Sequence, residues 1–188
     1  MSLMHGDIER VLIPQQEIAR RVRELAAQIT SDQASAAKDG GITIVPILTG
    51  AMIFCGDLMR QIPIAMKIGL MGVSSYPGRS VRSQGAELLA SQLGDIRGRH
   101  VLVVDDVLDS GGTLGIVIPV LKKLEAASVK TCVLLRKDRP AAKAMHVDYL
   151  GFEIPDVFVV GYGLDYNDYY RNLPDVVTLR SAAMERLT

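Results

Sequence analysis

An α/β fold, a mostly parallel twisted sheet flanked by helices with a small added subdomain, is predicted from three features of this 188-residue sequence. First, VLVV (101–104) and VKTCVLL (129–135) are apolar runs of the kind buried on both faces of a parallel sheet. Second, Leu114, Val117, Ile118, Leu121 and Leu124 lie between those runs at helical spacing. Strand, helix and strand within ~30 residues make a right-handed βαβ unit. Third, seven of the nine aromatic residues follow position 148, which marks the last forty residues as a subdomain of different composition. The length is close to the ~150-residue domain prior, so one domain with an appendage fits better than two.

The elements follow in order. In PQQEIARRVRELAAQIT, residues Ile18, Val22, Leu25 and Ile29 recur at spacings of 4, 3 and 4, which is one face of a helix. Pro14 suits its first turn, and Glu17 can support Arg21 one turn on. SDQASAAKDGG ends that helix and turns the chain. GITIVPILTG is a short apolar strand, although Pro46 is awkward inside a central one. AMIFCGDLMRQI is a short helix, and IAMKIGLMGVSSY another strand. Residues 74–86 (SSYPGRSVRSQGA) keep no apolar period and read as a long surface loop of the kind used as a functional lid. In the 114–124 helix, Pro119 predicts a kink.

Composition excludes several classes. Lys plus Arg is 21 and Asp plus Glu is 21, so no global basic charge exists for sheathing nucleic acid or coating a membrane. Cys55 and Cys132 are far apart in apolar runs, and the three histidines show no ligand spacing, so neither a zinc site nor a disulfide scaffold is expected. No apolar run approaches the ~18 residues of a membrane span, and the N-terminus shows no signal-peptide pattern. Free buried thiols point to a reducing, cytoplasmic setting.

Three turns follow the carboxyl ends of predicted parallel strands: Leu48–Gly50, Asp105–Thr113 and Arg136–Asp138. Ligands of open α/β sheets bind just outside such ends. Asp109-Ser110-Gly111-Gly112-Thr113 opens a helix, so its amides, hydroxyls and helix dipole can cradle a phosphate. It is neither a Walker A loop nor GxGxxG. Asp105 and Asp106 would repel that phosphate unless a hard cation such as Mg²⁺ or a sugar diol intervenes. Phosphate, diol and metal together describe a phosphorylated ribose. Two blander readings stand beside this one: a turn that only caps a helix, and a phosphoacceptor pocket of the receiver type.

VLVVDDVLDSGGTL resembles the phosphoribosyl diphosphate (PRPP) signature of type I phosphoribosyltransferases. VDYLGFEIPDVFVVGYGLDYNDYYRNLP is similar to the C-terminal hood of the 6-oxopurine branch, the hypoxanthine-guanine phosphoribosyltransferases. The resemblance runs from about Ile47 to Val177. It implies one domain over residues 1–188, with a core of about 35–147 and a hood made of the N-terminal segment and about 148–188. It also implies transfer of the phosphoribosyl group from PRPP to hypoxanthine or guanine, giving IMP or GMP and diphosphate, with Mg²⁺ as cofactor and a homodimer or homotetramer as assembly.

Residue by residue, the resemblance assigns Asp105 and Asp106 to the ribose hydroxyls and Mg²⁺, with Asp105 one methylene shorter than the usual Glu. It assigns Asp109 to general acid/base work near purine N7, and Ser110, Gly111, Gly112 and Thr113 to the 5′-phosphate. Lys137 would donate to O6, Phe158 would stack on the base, and the Val159 backbone would meet the purine edge. Asp165 would bind a second Mg²⁺ and Arg171 the diphosphate. Ser75 and Tyr76 would belong to the lid. One departure is visible: Leu48-Thr49-Gly50 stands where the family commonly has Leu-Lys-Gly, often with a cis bond. Thr49 and Gly50 would then hold diphosphate by backbone amides, with weaker affinity. Two alternatives keep the fold and change the job: a regulator that senses PRPP or nucleotides, and a xanthine-preferring transferase. Without the resemblance, Phe158 reads as strand core, Lys137 and Arg171 as solvated surface charges, and Tyr166, Tyr169 and Tyr170 as packing.

Overall fold

A computed structural model describes residues 3–36, 40–74 and 87–186. After a 3₁₀ turn, the chain forms β1 (Ile8–Ile13), α1 (Gln15–Asp32), β2 (Ile42–Leu48) and α2 (Met52–Met59). Next come β3 (Met66–Ile68), β4 (Leu70–Ser74), β5 (Glu87–Gln92), β6 (His100–Leu108) and α3 (Gly112–Lys123). The chain ends with β7 (Ser128–Lys137), α4 (Pro140–Ala144), β8 (Tyr149–Ile154), β9 (Val176–Leu179) and α5 (Ser181–Arg186). One sheet has the order β5-β4-β2-β6-β7-β8, with β3 also on β2. All its pairings are parallel except β4 with β5.

Both faces of this sheet are covered, as the continuous apolar runs require. Leu102 and Val104 of β6 pack with Ile18, Val22, Leu25 and Ile29 of α1 and with Phe54 of α2. Val101 and Val103 point the other way and pack with Leu114, Val117 and Leu121 of α3. The predicted α1 face is thus the buried one. Arg21 does not pair with Glu17; its guanidinium donates to the backbone carbonyls of Leu150 and Gly151 at 2.6 and 2.9 Å, fastening α1 to β8. α3 runs unbroken through Pro119. Pro119 and Gly115 both lie on its exposed side, so the Gly115 carbonyl that loses its helix donor faces solvent. Leu124, expected in the apolar stripe, is instead 45% exposed just past the helix end.

Pro46 sits in the sheet interior, and the break between β3 and β4 accommodates it. The Ile42 N–H and the Ile44 carbonyl bond toward the β3 side, to Ala65 and Gly69. By strand alternation Pro46 faces the same way. There β3 has ended and β4 starts pairing only at Ile47, so the donor proline lacks has no acceptor waiting. The strand expected over residues 64–76 is therefore two short pieces.

The second, smaller unit is the antiparallel pair β1–β9. Beneath it Val160, Tyr170, Leu173, Val177 and Leu179 form a separate apolar cluster. The chain after residue 148 is thus divided: Tyr149–Ile154 completes the large sheet, and only later residues join the N-terminal strand. Asp7 ties the unit's ends together, accepting from the Tyr170 hydroxyl at 2.9 Å and from Arg186. Tyr170 is packed as expected, whereas Tyr169 is 58% exposed.

Candidate active site

A cleft of about 640 Å³ opens at the carboxyl ends of β2, β6 and β7, under the loop that joins β8 to β9. The three turns singled out in the sequence all reach it. Thr49 and Gly50 come from the end of β2, Asp105, Asp106 and Asp109 from the end of β6, and Lys137 from the end of β7. Thr113 lies one turn into α3. Phe158, Val159, Asp165 and Arg171 descend from the β8–β9 segment. Ser110, Gly111 and Gly112 adjoin Thr113 without lining the cleft. Ser75 and Tyr76, with the rest of the expected 74–86 lid beyond Ser74, lie outside the described residues.

Two glycines let the walls close. The Leu48–Thr49 peptide bond is cis. A Cβ on Gly50 would fall 1.8 Å from the Asp106 carboxylate, so glycine is what lets that carboxylate lie against the loop. Gly163, at φ +104°, faces the Gly50 carbonyl, which a Cβ there would meet at 2.2 Å. The loop after β2 and the loop bearing Asp165 and Arg171 thus meet backbone to backbone.

Asp105 is only 4% exposed and lies beside Asp106. Burial, and then the charge of its neighbour, pushes the Asp105 carboxyl well above the usual carboxylate range. Burial also raises Asp106, which accepts from the Val107 N–H at 3.0 Å. Neither makes an ion pair among the described residues.

α3 is preceded by Gly111, whose φ of +84° places it in the left-handed region, and no side chain caps the helix. The turn is not a side-chain cap: glycine stands at the cap position, and the Asp109 carboxylate bonds Lys137 and Arg139 instead. Of the two glycines only Gly111 is conformationally required. Gly112 has open space, with Ser110 Oγ as the nearest atom at 3.6 Å from a Cβ.

Lys137 is 9% exposed, so it is not a solvated surface charge. Its Nζ lies 3.4 Å from Asp109 Oδ2. Phe158 is not strand core: it sits in a loop with half its surface exposed. Tyr166 is more than packing, because it lines the cleft and meets the Phe158 ring edge-on, with centroids 5.7 Å apart and planes at 85°. At the far end, Arg171 Nη1 donates to Asp165 Oδ1 and to the Gly163 carbonyl, both at 2.9 Å, and its Nη2 donates to Asp168 at 2.9 Å. Asp165 Oδ2 in turn accepts the Asp168 N–H at 2.9 Å.

Sequence reasoning passed over Asn167, Asp168, Arg139 and Asp156. The first two occupy a turn with positive φ at both residues and complete the cleft wall beside Arg171. Asp-Tyr-Asn-Asp is turn chemistry that could have flagged them. Arg139 donates both to Asp109 and, through Nε at 2.7 Å, to Asp156. Nothing local in the sequence marks that contact.

The phosphoribosyl transferase domain model matches residues 12–167 of the chain. A hypoxanthine-guanine phosphoribosyltransferase of Bacillus subtilis is 37% identical over 183 residues, covering 97% of this chain and 99% of the relative. One from Mycobacterium avium is 43% identical, covering 95% and 89%. A crystal structure of a Staphylococcus aureus hypoxanthine phosphoribosyltransferase superposes with a TM-score of 0.86 at 34% identity, covering 97% of each chain. The similarity spans the sheet, the cleft and the smaller unit alike, and the chain belongs to the hypoxanthine-guanine phosphoribosyltransferase family.

Proposed function

We propose that this protein is a purine salvage enzyme that moves the 5-phosphoribosyl group of PRPP onto hypoxanthine or guanine, forming IMP or GMP and diphosphate. The observation that carries this is the pairing of Lys137 with Asp109 at 3.4 Å, beside the exposed face of Phe158. A 6-oxopurine presents an acceptor at O6 next to a hydrogen on N7. A buried ammonium and an adjacent carboxylate are the complementary donor and acceptor. Adenine presents an amino group to that ammonium and leaves it unpaired, a mismatch that discriminates strongly.

The remaining roles are those the family resemblance implies, supported by position for the residues that line the cleft. The α3 amides, Ser110, Gly111, Gly112 and Thr113 take the 5′-phosphate. Asp105 and Asp106 accept the ribose hydroxyls, and Thr49, Gly50 and Arg171 bind diphosphate. Val159 meets the purine edge through its backbone; the lid role that the resemblance implies for Ser75 and Tyr76 concerns residues outside the described ones. As N9 bonds to C1′, the C1′–O bond to diphosphate breaks and the Asp109 carboxylate takes the N7 proton. The transition state is oxocarbenium-like, and Phe158 and Lys137 hold the base in line with it.

The donor set fits Mg²⁺. Asp105 and Asp106 are two adjacent hard oxygen ligands that make no ion pair among the described residues. Mg²⁺ favours one or two carboxylates completed by substrate oxygens, and no cluster of three or more ligating side chains occurs among the described residues. Asp165 is the further carboxylate available on the diphosphate side. The bound ion would supply positive charge to the diphosphate. A dimer or tetramer is proposed as the assembly. A cytoplasmic location is proposed because Cys55 and Cys132 are buried free thiols, the former pushed up to about 12 by burial.

An assay of hypoxanthine, guanine, xanthine and adenine with PRPP and Mg²⁺ tests the assignment. Hypoxanthine and guanine should be converted and adenine left unchanged. Rapid conversion of adenine, or of xanthine alone, would overturn it.

A further inference from the structure

The base end of the cleft rests on more than the two residues that face it. Arg139 Nη1 donates to Asp109 Oδ1, and Arg139 Nε donates to Asp156 Oδ1 at 2.7 Å. Lys137 Nζ lies 3.4 Å from Asp109 Oδ2 and 3.9 Å from Asp156 Oδ1. The four side chains close a ring in which positive and negative charges alternate. Asp109 and Lys137 line the cleft, whereas Arg139 and Asp156 stand behind them.

The backbone explains why Arg139 can do this. Pro140 keeps it extended, at φ −126° and ψ 142°. Its N–H bonds the Lys137 carbonyl at 2.8 Å, so one turn presents both cations. Asp156 belongs to the loop that carries Phe158 and Val159. The Arg139–Asp156 contact therefore joins the loop facing O6 to the loop that stacks on the base. Arg139 holds the Asp156 carboxyl below its ordinary range. The side chains of Arg139, Asp109 and Asp156 are 41–43% exposed, and pairs this wet add little stability. The consequence of the ring is geometric.

A purine that draws Lys137 to its O6 removes one partner of Asp109. Arg139 is the partner that stays, because it does not face the cleft and Asp156 anchors it. We propose that Arg139, anchored by Asp156, is a positioning residue that holds the Asp109 carboxylate at the N7 edge of the base during glycosyl transfer. This rests on the function assigned above, with Asp109 as the acceptor of the N7 proton.

Steady-state kinetics with hypoxanthine and PRPP test it, on the wild type, Arg139→Met, Arg139→Lys, Asp156→Asn, Asp109→Asn and the Asp109→Asn/Arg139→Met pair. Because small misplacements of a reacting group cost up to 10²-fold, Arg139→Met should lower kcat about 10-fold and leave the KM for PRPP nearly unchanged. Arg139→Lys should recover part of the loss, and Asp156→Asn should reproduce part of it. The double variant should be no slower than Asp109→Asn alone, since the arginine acts only through that carboxylate. An unchanged kcat in Arg139→Met beside an active wild type overturns the positioning role. So does a double variant that loses the full single-variant factor again. Should Arg139→Met fold poorly in a thermal melt, Asp156→Asn and Arg139→Lys carry the same comparison. A wild type unable to transfer to hypoxanthine fails the functional assignment itself, a separate result.

Discussion

The two ends of the cleft handle buried charge in opposite ways. At the ribose end, Asp105 and Asp106 lie side by side; burial holds both carboxyls up, and the charge of Asp106 raises Asp105 further. At the base end, Asp109 and Asp156 alternate with Lys137 and Arg139, so each carboxylate touches a cation before any ligand arrives. One end holds carboxyls with no ion pair among the described residues, and a cation or hydroxyl hydrogens would relieve them. The other is already compensated. On the function proposed above, binding a metal-linked sugar diphosphate would gain from the first arrangement, and aiming a proton acceptor from the second.

The largest effect expected from breaking this contrast is at Asp109. Asp109→Asn keeps the shape of the ring and removes its proton acceptor. General-base removal costs about 10²–10⁴-fold, so kcat should fall by that factor while PRPP binding stays near that of the wild type. An unchanged kcat would take Asp109 out of the chemistry.

The ribose end should respond differently, by trading activity for stability. A raised carboxyl pKa in the folded protein means that folding is penalised above the unfolded value of 3.8, and increasingly so as pH rises toward the folded value. Asp105→Asn removes that penalty. Its metal-free form should unfold later than the wild type by roughly 2–4 °C per kcal/mol relieved, with the gain growing from acid to neutral pH. Loss of one charge-assisted contact should also lower kcat/KM for PRPP about 10- to 100-fold. A variant that melts earlier than the wild type at neutral pH would show that Asp105 is compensated after all.

The same contrast explains how much of the molecule could be read before its structure was known. Continuous apolar runs on both sides of a helical period are sufficient for β6, α3 and β7, and an acid pair ahead of a glycine turn is sufficient for the ribose end, because both are local. β1 escaped notice because IERVLI gains meaning only from β9, more than 160 residues away. β5 escaped because ELLASQ is a polar-interrupted strand at the sheet edge, paired among the described residues with β4 alone. The ring at the base end joins residues 17 and 30 apart, and its back half, Arg139 and Asp156, belongs to no motif. Gly111 and Gly112 look equivalent as letters; only the backbone shows that the first needs to be glycine. Pro46 and Pro119, both read as problems, sit where their missing donors fall at a strand break and on a solvated helix face.

The smallest expected effect concerns Thr49, at the diphosphate side. The neighbouring cation, Arg171, is already bonded to Asp165 and Asp168, so the pocket offers less free positive charge than its residue types suggest. Thr49→Lys adds one. Its ammonium would stand in a cleft open to water, where a single added ion pair contributes about 0.2–1 kcal/mol, or at most roughly fivefold in affinity. The KM for PRPP and the inhibition constant for diphosphate should therefore fall by no more than that factor, with kcat unchanged. Because a solvated pair is screened, the gain should shrink as salt is raised. A gain confined to hypoxanthine binding, with diphosphate inhibition unmoved, would place the loop after β2 at the base end and dissolve the division between the two halves of the cleft.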